Sequence, residues 1–384
     1  MYLLPKPKTI KEQDGQMLLC HSTHIVMTKE VAETEMHAAK RLQEAIRQET
    51  GLILPFSVGE VREGDLSLGI AKTLPEQTYE ITIDEKGGQI SGGDGAGVLY
   101  GVETFCQIVQ QCGGILPCVQ IQDAPDMPNR GYYFDQTRGR VLKLEELKKI
   151  ADRMCRYKLN QLQLYVEHTY LFRDFSEMWR DQTPLTAEEI RELDSYCRER
   201  HIELVPSLAS FGHLCTLLST KTYGDLCEME DSWKEPFSFW NRMRYHTINV
   251  SDERSLPLIK KMIAEYMQLF SSNKFNICAD ETFCLGKYKS KKLAEERGVH
   301  RLYIDYVKEL AQFLVENGKI PMFWGDIIWN SPELMKELPE SMICLNWGYA
   351  PEQREDETRA IAQTGAVQYL CPGVCGWNQW ANLI

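Results

Sequence analysis

The chain has no run of about 18 apolar residues, the length that a membrane-crossing helix needs, so no such span is expected. Its start, MYLLPKPKTIKEQDGQMLL, lacks the basic residues and long apolar core of a secretory leader, and the expected location is cytoplasmic. No Lys/Arg cluster stands out and the formal net charge is −12. Nucleic acid and anionic membranes are poor electrostatic partners for such a surface. The 13 cysteines show no paired CxxC spacing, and Cys371 and Cys375, the nearest pair, have no companion ligands. Scattered reduced thiols fit that pattern better than a disulfide framework. No HxxxH or clustered carboxylate motif calls for a metal, and no cofactor is expected.

What is present is an ordinary globular composition, 43% hydrophobic and 26% charged, with no low-complexity tract. At 384 residues the chain is long enough for a large core and two domains. Residues 1–125 read as a small α+β domain. The segment 31–49 carries helical spacing closed by Gly51, LSLGI (66–70) reads as a strand, and YEITIDEKGGQISGG (79–93) as a hairpin. GVLYGVETFCQIVQQCGG (98–114) has helical apolar spacing with a glycine stop. IQDAPDMPNR (121–130), with two prolines, reads as a linker.

From 126 to 384 the pattern becomes strand, loop, helix, repeated. Strands are expected at GYYFD (131–135), NQLQLYVE (160–167), ELVPSLAS (203–210), FNICADE (275–281), IPMFWGD (320–326), SMICLNWGY (341–349) and VQYLCPG (367–373). Amphipathic helices separate most of them, one opened by a capping box of Thr186 and Glu189. Near-continuous apolar strands alternating with helices mean a parallel sheet covered on both faces. Seven such strands point to an eight-stranded β/α barrel rather than an open sheet, and no glycine-rich phosphate fingerprint follows the first strand to favour dinucleotide binding. Barrels of this kind carry their chemistry at the C-terminal strand ends. Here those ends are Asp135, Glu167, Asp280–Glu281, Asp326 and Trp347. Each taken singly also reads as a helix cap or a solvated loop residue; five that converge read as an active site.

RGYYFDQTR (130–138), the helix after it and then KLNQLQLYVE resemble the catalytic opening of glycoside hydrolase family 20, the β-N-acetylhexosaminidases. ICADE resembles that family's small-small-Asp-Glu strand end, SFGH (210–213) its Pro-Gly-His turn, and DGAGVLYGVETFCQIV (94–109) the end of its accessory domain. The resemblance runs from about residue 75 onward, with the motifs in order. It implies a retaining exo-β-N-acetylhexosaminidase that removes terminal GlcNAc or GalNAc. Glu281 would be the general acid and base, and Asp280 would orient the 2-acetamido group, whose oxygen attacks the anomeric carbon in place of a protein carboxylate. Strand seven ends VQYLCPGVCG with no acid, which fits that substrate assistance. The resemblance further implies that Arg130 grips sugar hydroxyls and His213 lies near the acid. Trp324, Trp347 and Trp377 would wall the acetamide pocket, with Tyr369 bonding the acetamide oxygen.

The match has departures. Cys278–Ala279 stand where the family has glycines, Tyr165 where many members have histidine, and Ala209–Ser210 where an acid is common. Two other readings stay open: a different retaining β-glycosidase using Glu167 and Glu281, whose carboxyls would then lie about 5–5.5 Å apart, and a non-catalytic sugar-binding protein. The segment 232–246 reads either as an outer-subsite loop or as a structural insertion. No eighth strand is found after 373, and the chain is expected to be a truncated piece of a longer protein, with an incomplete barrel.

Overall fold

The computed structural model describes residues 1–374 apart from 237, 351 and 353. Two compact units form: Met1–Tyr132 with Leu144–Leu162 and Ser195–Glu203 make the first, and Tyr133–Lys143, Gln163–Asp194 and the chain from Leu204 onward the second.

The first unit holds a seven-stranded sheet: β1 (Thr9–Leu18), β2 (Ile25–Met27), β3 (Phe56–Val58), β4 (Leu66–Ile70), β5 (Tyr79–Asp84), β6 (Gly87–Gly92) and β7 (Ile115–Asp123). Their spatial order is β1-β7-β5-β6-β4-β2-β3. The hairpin expected over 79–93 is β5–β6, antiparallel from Tyr79↔Gly92 to Asp84↔Gly87. The helix Gly95–Cys112 is buried from Ala96 through Val109, as its continuous apolar and small residues require. Asp94 caps it by accepting the Gly97 N–H at 2.7 Å. Gly101 lets it approach the sheet, since a Cβ there would stand 2.5 Å from Ile90 Cγ2. The helix expected over 31–49 is two, Lys29–Thr34 and Met36–Thr50, broken at Glu35. The Glu35 carboxylate is held there by His201 at 2.8 Å. The expected linker begins inside β7, which runs to Asp123.

The second sheet contains β8 (Gly131–Asp135), β9 (Gln161–Val166), β10 (Glu203–Leu208), β11 (Lys274–Asn276), β12 (Ile320–Trp324), β13 (Ile343–Gly348) and β14 (Val367–Pro372). Their order is sequential, β8 to β14, and the pairs from β10–β11 through β13–β14 are parallel. Sequential parallel strands with helices between them are the strand order of a β/α barrel. Each lies within the span read from sequence except β11, which begins one residue before the expected 275–281 and ends already at Asn276. Among the described residues no eighth strand follows β14; residues 375–384, Trp377 included, lie outside them. The capping box forms as expected, with Glu189 N–H on Thr186 Oγ1 at 3.1 Å and Thr186 N–H on Glu189 Oε2 at 2.9 Å. Because β9 is buried along its whole length, its polar side chains must find internal partners. Gln163 does so by accepting from Asn276 Nδ2 on β11 at 3.1 Å.

Candidate active site

β11 stops early for a local reason. Asn276 Oδ1 accepts the Cys278 N–H at 2.8 Å, turning the chain out of the ladder. Cys278, Ala279 and Glu281 then adopt φ of 58°, 62° and 48°. This is the left-handed region, which costs a residue with a Cβ roughly 1–2 kcal/mol; glycines at the small pair would avoid that cost. Such strain persists only where the surroundings over-determine it, and here they do. Ser210 Oγ donates to Ile277 O at 2.5 Å, Trp324 N to Cys278 O at 2.9 Å and Tyr303 OH to Ala279 O at 3.0 Å. The Glu281 N–H donates to Asp326 Oδ2 at 3.0 Å. The SFGH turn closes over the same backbone: a Cβ on Gly212 would lie 2.6 Å from Asp280 O.

This turn presents both acids to one imidazole. His213 Nε2 lies 3.3 Å from Asp280 Oδ2 and 3.3 Å from Glu281 Oε2, with only 2% of the histidine side chain exposed. Burial alone would lower its pKa, but the Asp280 charge and the close approach of both carboxylates raise it to about 10. Burial likewise works to raise Asp280, yet His213 and Arg138 hold it below the ordinary carboxylate range. Asp326 goes the other way. Burial first and then the charge of Asp280 push it up to about 8, and its Oδ1 is sealed from solvent without a partner. At neutral pH the cluster therefore holds an ionised Asp280, an imidazolium and a protonated Asp326.

Around the acids the structure sorts the other residues singled out by sequence. Glu167 is buried at 3% exposure; Tyr165 OH donates to its Oε1 at 3.0 Å and Arg242 Nη2 to its Oε2 at 3.1 Å. Trp324 is 7% exposed and meets Tyr133 edge-on at 4.9 Å; Tyr133 OH in turn lies 3.2 Å from Ser207 Oγ and 3.9 Å from Cys278 Sγ. Trp347 packs between Trp329 and Tyr349, at 5.8 and 5.2 Å. Tyr369 sits on β14 opposite Leu345, half-buried.

Arg130 is a correction. Its guanidinium donates to Lys158 O, Gln77 Oε1, Met127 O, Pro128 O and Tyr100 OH, and it precedes β8, at the strand's N-terminal end. A side chain so occupied has almost no donor left for a sugar. The arginine near the acids is Arg138, which sequence reasoning left unassigned although it closes the RGYYFDQTR motif. It donates to Asp135 Oδ2 at 2.6 Å, lies 4.0 Å from Glu167 Oε1 and covers the Tyr165 ring at 4.7 Å. Its place three residues past the strand end was the available signal. Arg242 was also missed; its helix, Phe239–Arg244, belongs to the segment 232–246.

The family model for the glycosyl hydrolase family 20 catalytic domain matches residues 128–374, and that for domain 2 of the same family matches 1–124. The chain belongs to glycoside hydrolase family 20. A β-hexosaminidase of Porphyromonas gingivalis is 24% identical over 363 residues, which are 85% of this chain and 45% of that protein. One from Vibrio furnissii is 26% identical over 73% of this chain and 48% of its own length. The chain thus spans half or less of these curated relatives. Among solved structures, Flavobacterium johnsoniae chitobiase superposes with a TM-score of 0.81 at 20% identity, over 97% of this chain and 59% of that one. An exo-β-N-acetylglucosaminidase from Vibrio harveyi, in complex with N-acetylglucosamine, gives 0.77 at 19%, over 97% and 60%. These likenesses show the fold of this family 20 chain, a barrel-type sheet preceded by a small α+β domain. Among its described residues no group of three His, Cys, Asp or Glu side chains is placed to hold a metal ion, and no helix is long and apolar enough to cross a membrane.

Proposed function

We propose that the chain carries the catalytic apparatus of a retaining exo-β-N-acetylhexosaminidase that removes terminal β-linked GlcNAc or GalNAc by substrate assistance. Glu281 protonates the leaving oxygen and then deprotonates water. Asp280 orients the acetamido group and offsets its developing positive charge. The acetamide oxygen attacks the anomeric carbon. The observation that carries this reading is the shared imidazole: His213 faces Asp280 and Glu281 at equal distance, so two adjacent acids are aimed at one place by a strained turn.

Glu167 makes a poor competing nucleophile, because Tyr165 and Arg242 occupy its two oxygens. Arg138 takes the part expected of Arg130, a forked donor for vicinal sugar hydroxyls. Trp324 and Trp347 supply apolar walls, the second through its cluster with Trp329 and Tyr349.

The test is a series of aryl β-glucosaminides whose N-acyl group is acetyl, fluoroacetyl, difluoroacetyl or trifluoroacetyl. Each fluorine weakens the amide oxygen as a nucleophile, so kcat/KM should fall steeply along the series. A flat series would mean that a protein carboxylate attacks instead.

A further inference from the structure

Beyond β8, β9 and β10 the loops enclose a cavity of about 340 Å³ whose wall includes Thr137, Arg140, His168, Gln182, Thr216 and Arg242. That is the size of a small-ligand site. Thr216 follows His213 by three residues, and Arg242 and His168 lie 3.1 and 4.0 Å from Glu167. The cavity therefore adjoins Glu167, whose Oε1 lies 4.0 Å from Arg138, the guanidinium whose charge acts on Asp280.

Its charge is unusual for a chain of net −12. Among the described residues no carboxylate lines it. A neighbouring cavity of about 490 Å³ shares Cys215 and Thr216 and adds Glu177, Lys221 and Arg180, the last paired with Asp181 at 3.3 Å. Glu177 is already taken by the N–H and hydroxyl of Thr222. Among the described residues Arg140 makes no hydrogen bond or ion pair. Arg242 gives one N–H to Glu167, but its Nε is buried with no acceptor. A buried donor left without a partner is costly, and a guanidinium fork matches the oxygens of a carboxylate or a sulfate. The Gln182 amide and the Thr216 hydroxyl, which lies 3.2 Å from His168 Nδ1, are neutral polar groups of the same wall. On the helix that carries Arg242, Phe239 and Trp240 are exposed, 43% and 57%, and offer apolar faces to a sugar ring.

We propose that this cavity is the subsite for the leaving portion of the substrate, and that it selects a sugar unit bearing a carboxylate or sulfate ester, received by Arg140 and Arg242. This rests on the glycosidase reading above.

The experiment uses Glu281→Gln, which would hold substrates uncleaved, and measures dissociation constants by titration calorimetry. The ligands are GlcNAc alone and three β-linked disaccharides with terminal GlcNAc, their second unit a neutral hexose, a hexuronic acid or a 6-sulfated hexose. At least one anionic disaccharide should bind about tenfold more tightly than the neutral one, the scale of one charge-assisted hydrogen bond. Adding Arg140→Gln, an exposed position, should collapse that ratio to about twofold or less, as should high salt. Which anion responds separates uronate from sulfate. Equal binding of neutral and anionic disaccharides, or a loss in Arg140→Gln common to all ligands, would overturn the subsite while leaving the terminal-sugar reading intact. Failure of GlcNAc to bind, with the anionic ratio preserved, would overturn the terminal-sugar reading and keep the cavity.

Discussion

Asp326→Asn probes the electrostatic arrangement directly, because the structure makes Asp326 a neutral carboxylic acid beside the ionised Asp280. Its pKa rises from 3.8 to about 8 on folding. Between those values the folded state binds a proton that the unfolded chain has released. Stability contributed by this group therefore falls as pH rises, by about 1.4 kcal/mol per pH unit. The neighbours titrate elsewhere. His213 has a raised pKa, so its contribution is complete below its unfolded value of 6.5 and fades only toward 10. Asp280 has a lowered pKa, so its contribution is complete above 3.8. From about pH 4.5 to about pH 6.5 Asp326 should tilt the curve by about 2.5 kcal/mol in total. Asparagine is nearly isosteric, accepts the Glu281 N–H through its amide oxygen and does not titrate. Urea denaturation of both proteins at half-unit steps across that window should show the stability difference between variant and parent growing by that amount. Parallel curves would refute a protonated Asp326 and, with it, the account of how the adjacent acids are held.

Other outcomes separate the two arginines and test the turn. Arg138→Met should raise KM for an aryl β-N-acetylglucosaminide by about 10- to 100-fold, the range of lost charge-assisted hydrogen bonds. Arg130→Met should instead lower the denaturation midpoint with KM unchanged, and a KM effect there would restore it as a sugar ligand. Gly212→Ala places a methyl 2.6 Å from Asp280 O, so a loss of about 1–3 kcal/mol in stability should accompany a fall in kcat; normal kinetics would contradict the tight docking. Tyr303→Phe strips the hydrogen bond from Ala279 O. It should cost about 1–3 kcal/mol by chemical denaturation.

The barrel strands were legible because buried parallel strands are continuous apolar runs cut by helices. Much of the first sheet was not. β1, TIKEQDGQML, is exposed over most of its length, so it carries no amphipathic alternation, and β2 and β3 are three residues long. At the site, Asp280, Glu281 and His213 stood out because each sits in a compact motif at a strand end, and the structure brings all three together. Arg138 escaped notice beside a second arginine in the same motif; only the contacts of Arg130 reveal which guanidinium is spent on holding the backbone. Arg242 reaches Glu167 from 75 residues further along the chain, in a segment whose local pattern says nothing of its partner. The protonation of Asp326 depends on burial and on Asp280, neither of which a one-dimensional reading supplies.

The central claim, that Glu281 acts on a sugar whose own acetamide is the nucleophile, is tested most directly by paired hydrolysis. The parent chain and Glu281→Gln are each given an aryl β-N-acetylglucosaminide and the corresponding aryl β-glucoside. Turnover of the acetamido substrate alone, lost in the variant, is the predicted result. Comparable turnover of the plain glucoside would contradict substrate assistance and return Glu167 to consideration as the nucleophile.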